Sequence, residues 1–141
     1  VVEAQMRQGA MRSERAVEWQ PARLVEAPPL LEFEPRRRDR AGWCLLRFVA
    51  AARHVPTRQL LLPSRGEAEV ALARQLAMYL MHVVLGRLYH DVGRFFGRDR
   101  TTVSYACALI EDLRDDPEFD AEVSRLERRL AMRREVKHAR A

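Results

Sequence analysis

Lysine is nearly missing from this chain: of 25 basic residues only Lys137 is a lysine, and the others are arginine. A phosphate-cradling loop needs G-x-x-x-x-G-K-[ST], and no glycine lies near Lys137, so no nucleotide is expected to bind. Histidine is scarce, and His54, His82, His90 and His138 show neither an H-E-x-x-H motif nor metal-ligand spacing. No serine sits in a G-x-S-x-G elbow. The paired acids Glu111/Asp112 and Asp115/Asp116 fall on a polar stretch, which suits a solvated face better than a general acid/base pair. The expectation is a non-enzyme with no catalytic residue, no cofactor and no metal.

Cysteine is reduced to Cys44 and Cys107, each in apolar context with no C-x-x-C. Both read as small core residues in a reducing cytosol. Long hydrophobic runs are absent too. The longest, Leu60–Pro63 and Leu76–Leu85, fall far short of the roughly 20 residues that span a bilayer, so no membrane partner is expected. The opening Val1-Val2-Glu3 is not a basic segment followed by an apolar run, and no signal peptide is visible. It also lacks an initiator Met: either Met6 or Met11 is the true start, or upstream residues have been removed.

What is present fits one domain plus trimmings: 141 residues, 48% apolar and 32% charged. The apolar fraction excludes wholesale disorder. Net charge is +5, and it is localised. Residues 1–40 carry 8 basic and 7 acidic side chains, 41–110 carry 9 and 4, and 111–141 carry 8 and 9. A basic middle segment is the electrostatic footprint of nucleic-acid binding. The arginine excess has two readings: bidentate contact with phosphate and guanine, or codon usage in a GC-rich genome.

Residues 1–40 are polar and broken by Pro21, Pro28-Pro29 and Pro35 before the run Arg36-Arg37-Arg38-Asp39-Arg40. They read as a disordered or extended arm. Its island Leu30-Leu31-Glu32-Phe33 is either a docking peptide or a linker that contains leucines. From Ala41 the pattern becomes helical, with Trp43, Leu45, Leu46, Phe48, Val49 and Ala52 at helical spacing and Pro56 closing the segment. Thr57 is expected to cap a short turn of helix through Leu61. A longer helix is expected over 67–85, with Val70, Ala73, Leu76, Ala77, Leu80, Val83 and Val84 inward and Gly86 as its C-cap. Tyr89–Phe96 follows, ending at Gly97. Asp99 then caps Arg100–Leu113, which carries Val103, Ala106, Ile110 and Leu113 on one face. Asp116-Pro117 opens a last helix with Phe119, Val123, Leu126 and Leu130 inward. No alternating β-branched run appears. The expected fold is an all-α bundle of five to six helices over 41–135, with a tail over 136–141.

A long helix, a glycine turn, a short helix, a second glycine-containing turn and an amphipathic helix make a helix-turn-helix layout. Gly93 supplies a small residue where two helices would cross. The outer face of the last of these helices begins Arg100, Thr101, Ser104, Tyr105. Short hydroxyls let such a helix approach a major groove, threonine methyls meet thymine methyls, and arginine bonds guanine. The same spacing also fits an ordinary helical hairpin with a polar outer face.

Ala73-Arg74-Gln75-Leu76-Ala77-Met78-Tyr79-Leu80, then Asp91-Val92-Gly93-Arg94-Phe95-Phe96-Gly97-Arg98-Asp99-Arg100-Thr101-Thr102-Val103, then Ala106-Cys107 and Ile110 resemble the C-terminal DNA-binding domain of the bacterial replication initiator family DnaA. The resemblance runs over roughly residues 41–130. It implies a helix-turn-helix bundle of the Trp repressor-like class and double-stranded DNA as partner. It also implies a cytoplasmic, nucleoid-associated location. Position by position, Asp99, Arg100, Thr101, Thr102, Ser104 and Tyr105 fall on the major-groove face, and Arg74, Gln75, Arg94 and Arg98 on phosphate. The family's minor-groove loop corresponds to residues 63–69, where Arg65 is the remaining basic residue beside Glu67 and Glu69.

The family's histidine in R-D-H-T-T-V is Arg100 here, and one glycine of its F-G-G-R-D turn is missing. The family's ATPase domain has no counterpart in this sequence, so the resemblance implies a detached DNA-binding module. Two readings follow. One is a sequence-specific DNA-binding regulator of replication initiation, acting at origins or initiator boxes. The other is a protein-interaction module that modulates the DnaA initiator or its regulatory ATP hydrolysis without strong DNA binding.

Overall fold

The computed structural model describes residues 38–64 and 66–140. Most of the expected arm, with its Leu30–Phe33 island, lies outside the described residues, and so does Arg65. Among the described residues there are six α-helices and no strand: α1 Arg40–Ala52, α2 Thr57–Leu60, α3 Ala68–Val83, α4 Tyr89–Phe96, α5 Arg100–Leu113 and α6 Pro117–Arg140. The all-α expectation holds.

Helix α3 is the centre of the bundle, touching α1, α2, α4 and α5. Its inward face is nearly continuous: Val70, Ala73, Leu76, Ala77, Leu80 and Met81 are all buried. Leu45, Leu46 and Val49 of α1, Leu60 of α2, Val92 of α4 and Ile110 of α5 are buried with it, and Val123 of α6 is buried as well. Each buried leucine-sized side chain contributes about 1.5–3 kcal/mol of transfer free energy, so this shared core is the main force holding six short elements together. Val83, expected inward, is exposed, because α3 ends there and the chain turns away. Gly86 lies three residues past that end with φ +68 and nothing near its missing Cβ, so it serves the left-handed backbone of the turn rather than close packing.

Two expectations need correction. Cys44 is exposed and only Cys107 is buried, since the buried stripe of α1 runs through Gly42, Leu45, Leu46 and Val49 and leaves position 44 outside. Thr57 is the first residue of α2 and makes no cap; Pro56 precedes it in extended conformation. Asp39 caps α1 by accepting from the Gly42 N–H at 3.0 Å, and it pairs with Arg87 before α4. At the other end α6 continues to Arg140, with Glu118 and Asp120 in its first turn and Lys137, His138 and Arg140 in its last. That arrangement suits the helix dipole, and no glycine or proline interrupts it.

Arginines fasten the helices to one another. Arg53, at the end of α1, donates to both carboxylate oxygens of Glu122 on α6 at 2.8 and 3.1 Å. Arg114, which ends α5, donates to Asp120 (2.6 Å), Glu127 (2.7 Å), Ser124 (3.1 Å) and the Tyr79 hydroxyl (2.9 Å). Tyr79 in turn donates to Glu111 at 2.7 Å. Burial, together with that bond, pushes the Tyr79 phenol up to about 12. Helix α5 is therefore tied to α3 and α6 at its C-terminal end.

Candidate nucleic-acid interface

Helix α4 ends at Gly97, whose φ of +66 is the left-handed conformation glycine adopts without a Cβ penalty. Asp99 follows in extended conformation and caps α5: its Oδ1 accepts from the Thr102 N–H at 2.9 Å and from Thr102 Oγ1 at 3.2 Å. The Thr102 N–H, followed by the Thr102 hydroxyl, holds the Asp99 carboxyl below the usual carboxylate range. Gly93 brings the turn close. A Cβ there would stand 2.5 Å from the Arg98 carbonyl oxygen, and the Arg98 N–H donates to the Gly93 carbonyl at 2.8 Å. The glycine thus serves the backbone of the turn, where a crossing of two helices was expected.

From that turn α5 shows two unlike faces. Val103, Ala106, Cys107 and Ile110 are buried against the bundle. Arg100, Thr101, Thr102, Ser104 and Tyr105 are exposed, Tyr105 to 75%. These are the residues assigned by resemblance to a major groove, and the structure brings them together at the N-terminal half of one helix. Leu109, 39% exposed, extends the same helix beyond them. Burial, reinforced by Glu111, pushes the Cys107 thiol up to about 11, so it stays protonated inside.

The phosphate set fares differently. Arg94 is exposed on α4 and Gln75 is half-buried on α3. Arg74, assigned to phosphate, is only 5% exposed. Its Nε donates to the Leu60 carbonyl at 2.9 Å and its Nη2 to the Gln59 carbonyl at 2.9 Å. The guanidinium satisfies the Leu60 carbonyl at the end of α2 and shares that of Gln59 with the Leu62 N–H, so its work is inside the fold. Burial, with Arg98 nearby, lowers its pKa, though arginine keeps its charge at any ordinary pH. Arg98 also turns inward in part: Nη2 donates to the Leu62 carbonyl at 3.0 Å and lies 3.5 Å from that of Ser64. The turn before α5 and the loop after α2 are thereby joined.

Spacing could not find these clamps. The partners of Arg53, Arg87 and Arg98 are 69, 48 and 36 residues away. Arg114 lies closer to its α6 partners, but nothing local marks it.

An α-helix, a tight glycine turn and a second helix with a buried and an open polar face define a helix-turn-helix domain. Residues 44–110 match the sequence model described as "Bacterial dnaA protein helix-turn-helix". This segment is a DnaA-type C-terminal helix-turn-helix domain. Among similar proteins, the chromosomal replication initiator protein DnaA of Deinococcus radiodurans is 38% identical over 88 residues, 61% of this chain and 18% of that protein. The protein of the same name from Sphingopyxis alaskensis is 46% identical over 63 residues, 43% of this chain and 14% of its own length. That from Rhodopseudomonas palustris is 42% identical over 84 residues, 58% and 18%. The chain thus spans under a fifth of the length of these relatives.

Proposed function

We propose that this chain binds double-stranded DNA through α5, in a binding rather than a catalytic role. Arg100, Thr101, Ser104 and Tyr105 lie toward the base edges of the major groove. The observation that carries the reading is the two-faced α5. Its polar residues are open while Val103, Ala106, Cys107 and Ile110 anchor it to the core. Asp99 and Thr102 lie at the same end but hydrogen-bond each other, so they present a fixed cap rather than two free readers. Arg94 contacts phosphate, with support from Gln75. Arg74 drops out of that set, and Arg98 contributes only its remaining donors. Arg65 stays the candidate for the minor groove.

The relatives' name, chromosomal replication initiator protein, supports placing this binding at initiator-type sites, and hence at the nucleoid. Fluorescence anisotropy with a duplex carrying an initiator box and with a scrambled duplex, over a salt series, tests the reading. Preference for the box that persists as salt rises is the expected result. Equal, steeply salt-dependent binding to both duplexes leaves only phosphate contact. No binding to either favours the protein-interaction role, a partner in modulating the initiator or its ATP hydrolysis. The inward use of Arg74 and Arg98, together with Glu67 and Glu69 beside the α2–α3 loop, is the observation that supports this second reading.

A further inference from the structure

Helices α1 and α6 enclose an apolar groove of about 470 Å³ that uses no part of α5. Its floor includes Leu45, Leu85 and Leu130, and its wall carries Met132 and Val136, one helical turn apart. Those two side chains are 64% and 53% exposed, an unusual outlay of apolar surface on a helix whose neighbouring positions are charged. The rim is cationic: Arg133, Arg134 and Lys137 line it, and no acidic residue among the described residues does. Arg133 is held over the Phe48 ring, 4.9 Å from its centroid, and Arg134 donates to the Val84 carbonyl at 2.6 Å. Two of the three charges are therefore fixed in place at the mouth of the groove.

We propose that this groove binds an amphipathic peptide segment of a partner protein, with leucine-sized side chains on one face and carboxylates flanking them. Apolar side chains fill the space over Leu45 and Leu130, and the carboxylates meet Arg134 and Lys137. Charge selects this occupant over a second copy of the chain. Two copies joined here would bring two cationic rims together, with no carboxylate among the described lining residues to offset them.

Cys44 lines the same groove and is exposed, whereas Cys107 is buried, so a maleimide reports the groove through Cys44. The test is a selection from displayed random sixteen-residue peptides on the full chain, followed by Cys44 labelling rates with the synthesised winners. The expected winners carry apolar residues flanked by Asp or Glu, slow Cys44 labelling, and bind at least about tenfold more weakly to Lys137→Glu and to Val136→Ser. Both substitutions are at exposed positions of α6, and unchanged helicity by circular dichroism confirms that they fold. Winners without acidic residues, winners indifferent to both variants, or no winners at all overturn the proposal. So does Cys44 labelling that slows as the protein itself is concentrated, which assigns the groove to a second copy.

Discussion

Arg74 reaches out of α3 to the end of α2 and donates from Nε to the Leu60 carbonyl at 2.9 Å. A charged donor buried against a carbonyl is costly to remove, because the Leu60 carbonyl stays buried and loses this donor. Arg74→Ala is therefore expected to lower unfolding free energy by about 2–4 kcal/mol, from two charge-assisted bonds to Leu60 and Gln59 and the stem packing around them. Urea denaturation measures it. An unchanged midpoint, together with a salt slope for duplex binding about one unit shallower, would return Arg74 to the phosphate-contacting set.

Gly93→Ala makes a second, sharper test, because its sign is diagnostic. In a helix interior, alanine is normally favoured over glycine by about 1 kcal/mol. Here the added methyl meets a backbone oxygen, that of Arg98, at 2.5 Å, and the turn into α5 has to move. Destabilisation of about 1–3 kcal/mol is expected, as for other overpacked sites, together with weakened discrimination between duplexes. A stabilised variant would show that the turn has room.

These two residues mark what was legible in the sequence and what was not. Helices α4 and α5 have the boundaries expected of them, because Gly97 and Asp99 are local signals that act on their own neighbours. The buried stripes of α3 and α5 are legible for the same reason: helical periodicity is a local property. Arg74 is different. On α3 it stands four residues after Val70 and three before Ala77, on the inward side, but its charge reads as a surface cation, and only α2, folded against it from another part of the chain, supplies the carbonyls it meets. The core expectation for Cys44 neglects that periodicity: the stripe through Leu45, Leu46 and Val49 leaves it outside. The open face of α5 was legible as a set of residue types, whereas the Asp99–Thr102 bond that pairs two of them with each other required the cap geometry.

Acid stability should report Asp39. Its bond to Arg87, opposed in part by burial and aided by the Gly42 N–H, holds its carboxyl below the usual range. In the unfolded chain an aspartate titrates near pKa ~3.9. A carboxyl depressed in the folded state stabilises above that unfolded value, and the contribution is lost as pH falls through the lower folded one. Asp99 is depressed in the same direction by the Thr102 N–H. Thermal unfolding is thus expected to be flat through neutral pH and to fall in the acid range below ~4. Asp39→Asn should melt lower than the wild type at neutral pH, and the gap should close as the pH drops below the carboxylate range. A gap that stays constant down to acid pH would mean that the Asp39 charge contributes nothing.

Arg100 is the first residue of α5 and is exposed, on the helix end that Gly97 and Asp99 fix in direction. From there its guanidinium can donate two parallel hydrogen bonds to guanine O6 and N7, worth about 1–3 kcal/mol of discrimination. A neutral histidine, the residue of the resembling family pattern, offers one donor and cannot match both acceptors. Thr101 beside it carries a methyl suited to thymine and a hydroxyl suited to either kind of partner. If α5 reads bases, a selection from random duplexes should return a site with guanine opposite Arg100. Arg100→His should move the preference toward the initiator's own box, and Arg100→Ala should lose the guanine without shifting the rest of the site. Thr101→Val should alter a neighbouring position while leaving that guanine in place. Identical sequence logos for wild type, Arg100→His and Arg100→Ala would show that Arg100 touches only phosphate, and salt slopes about one unit shallower for Arg100→Ala would then confirm it.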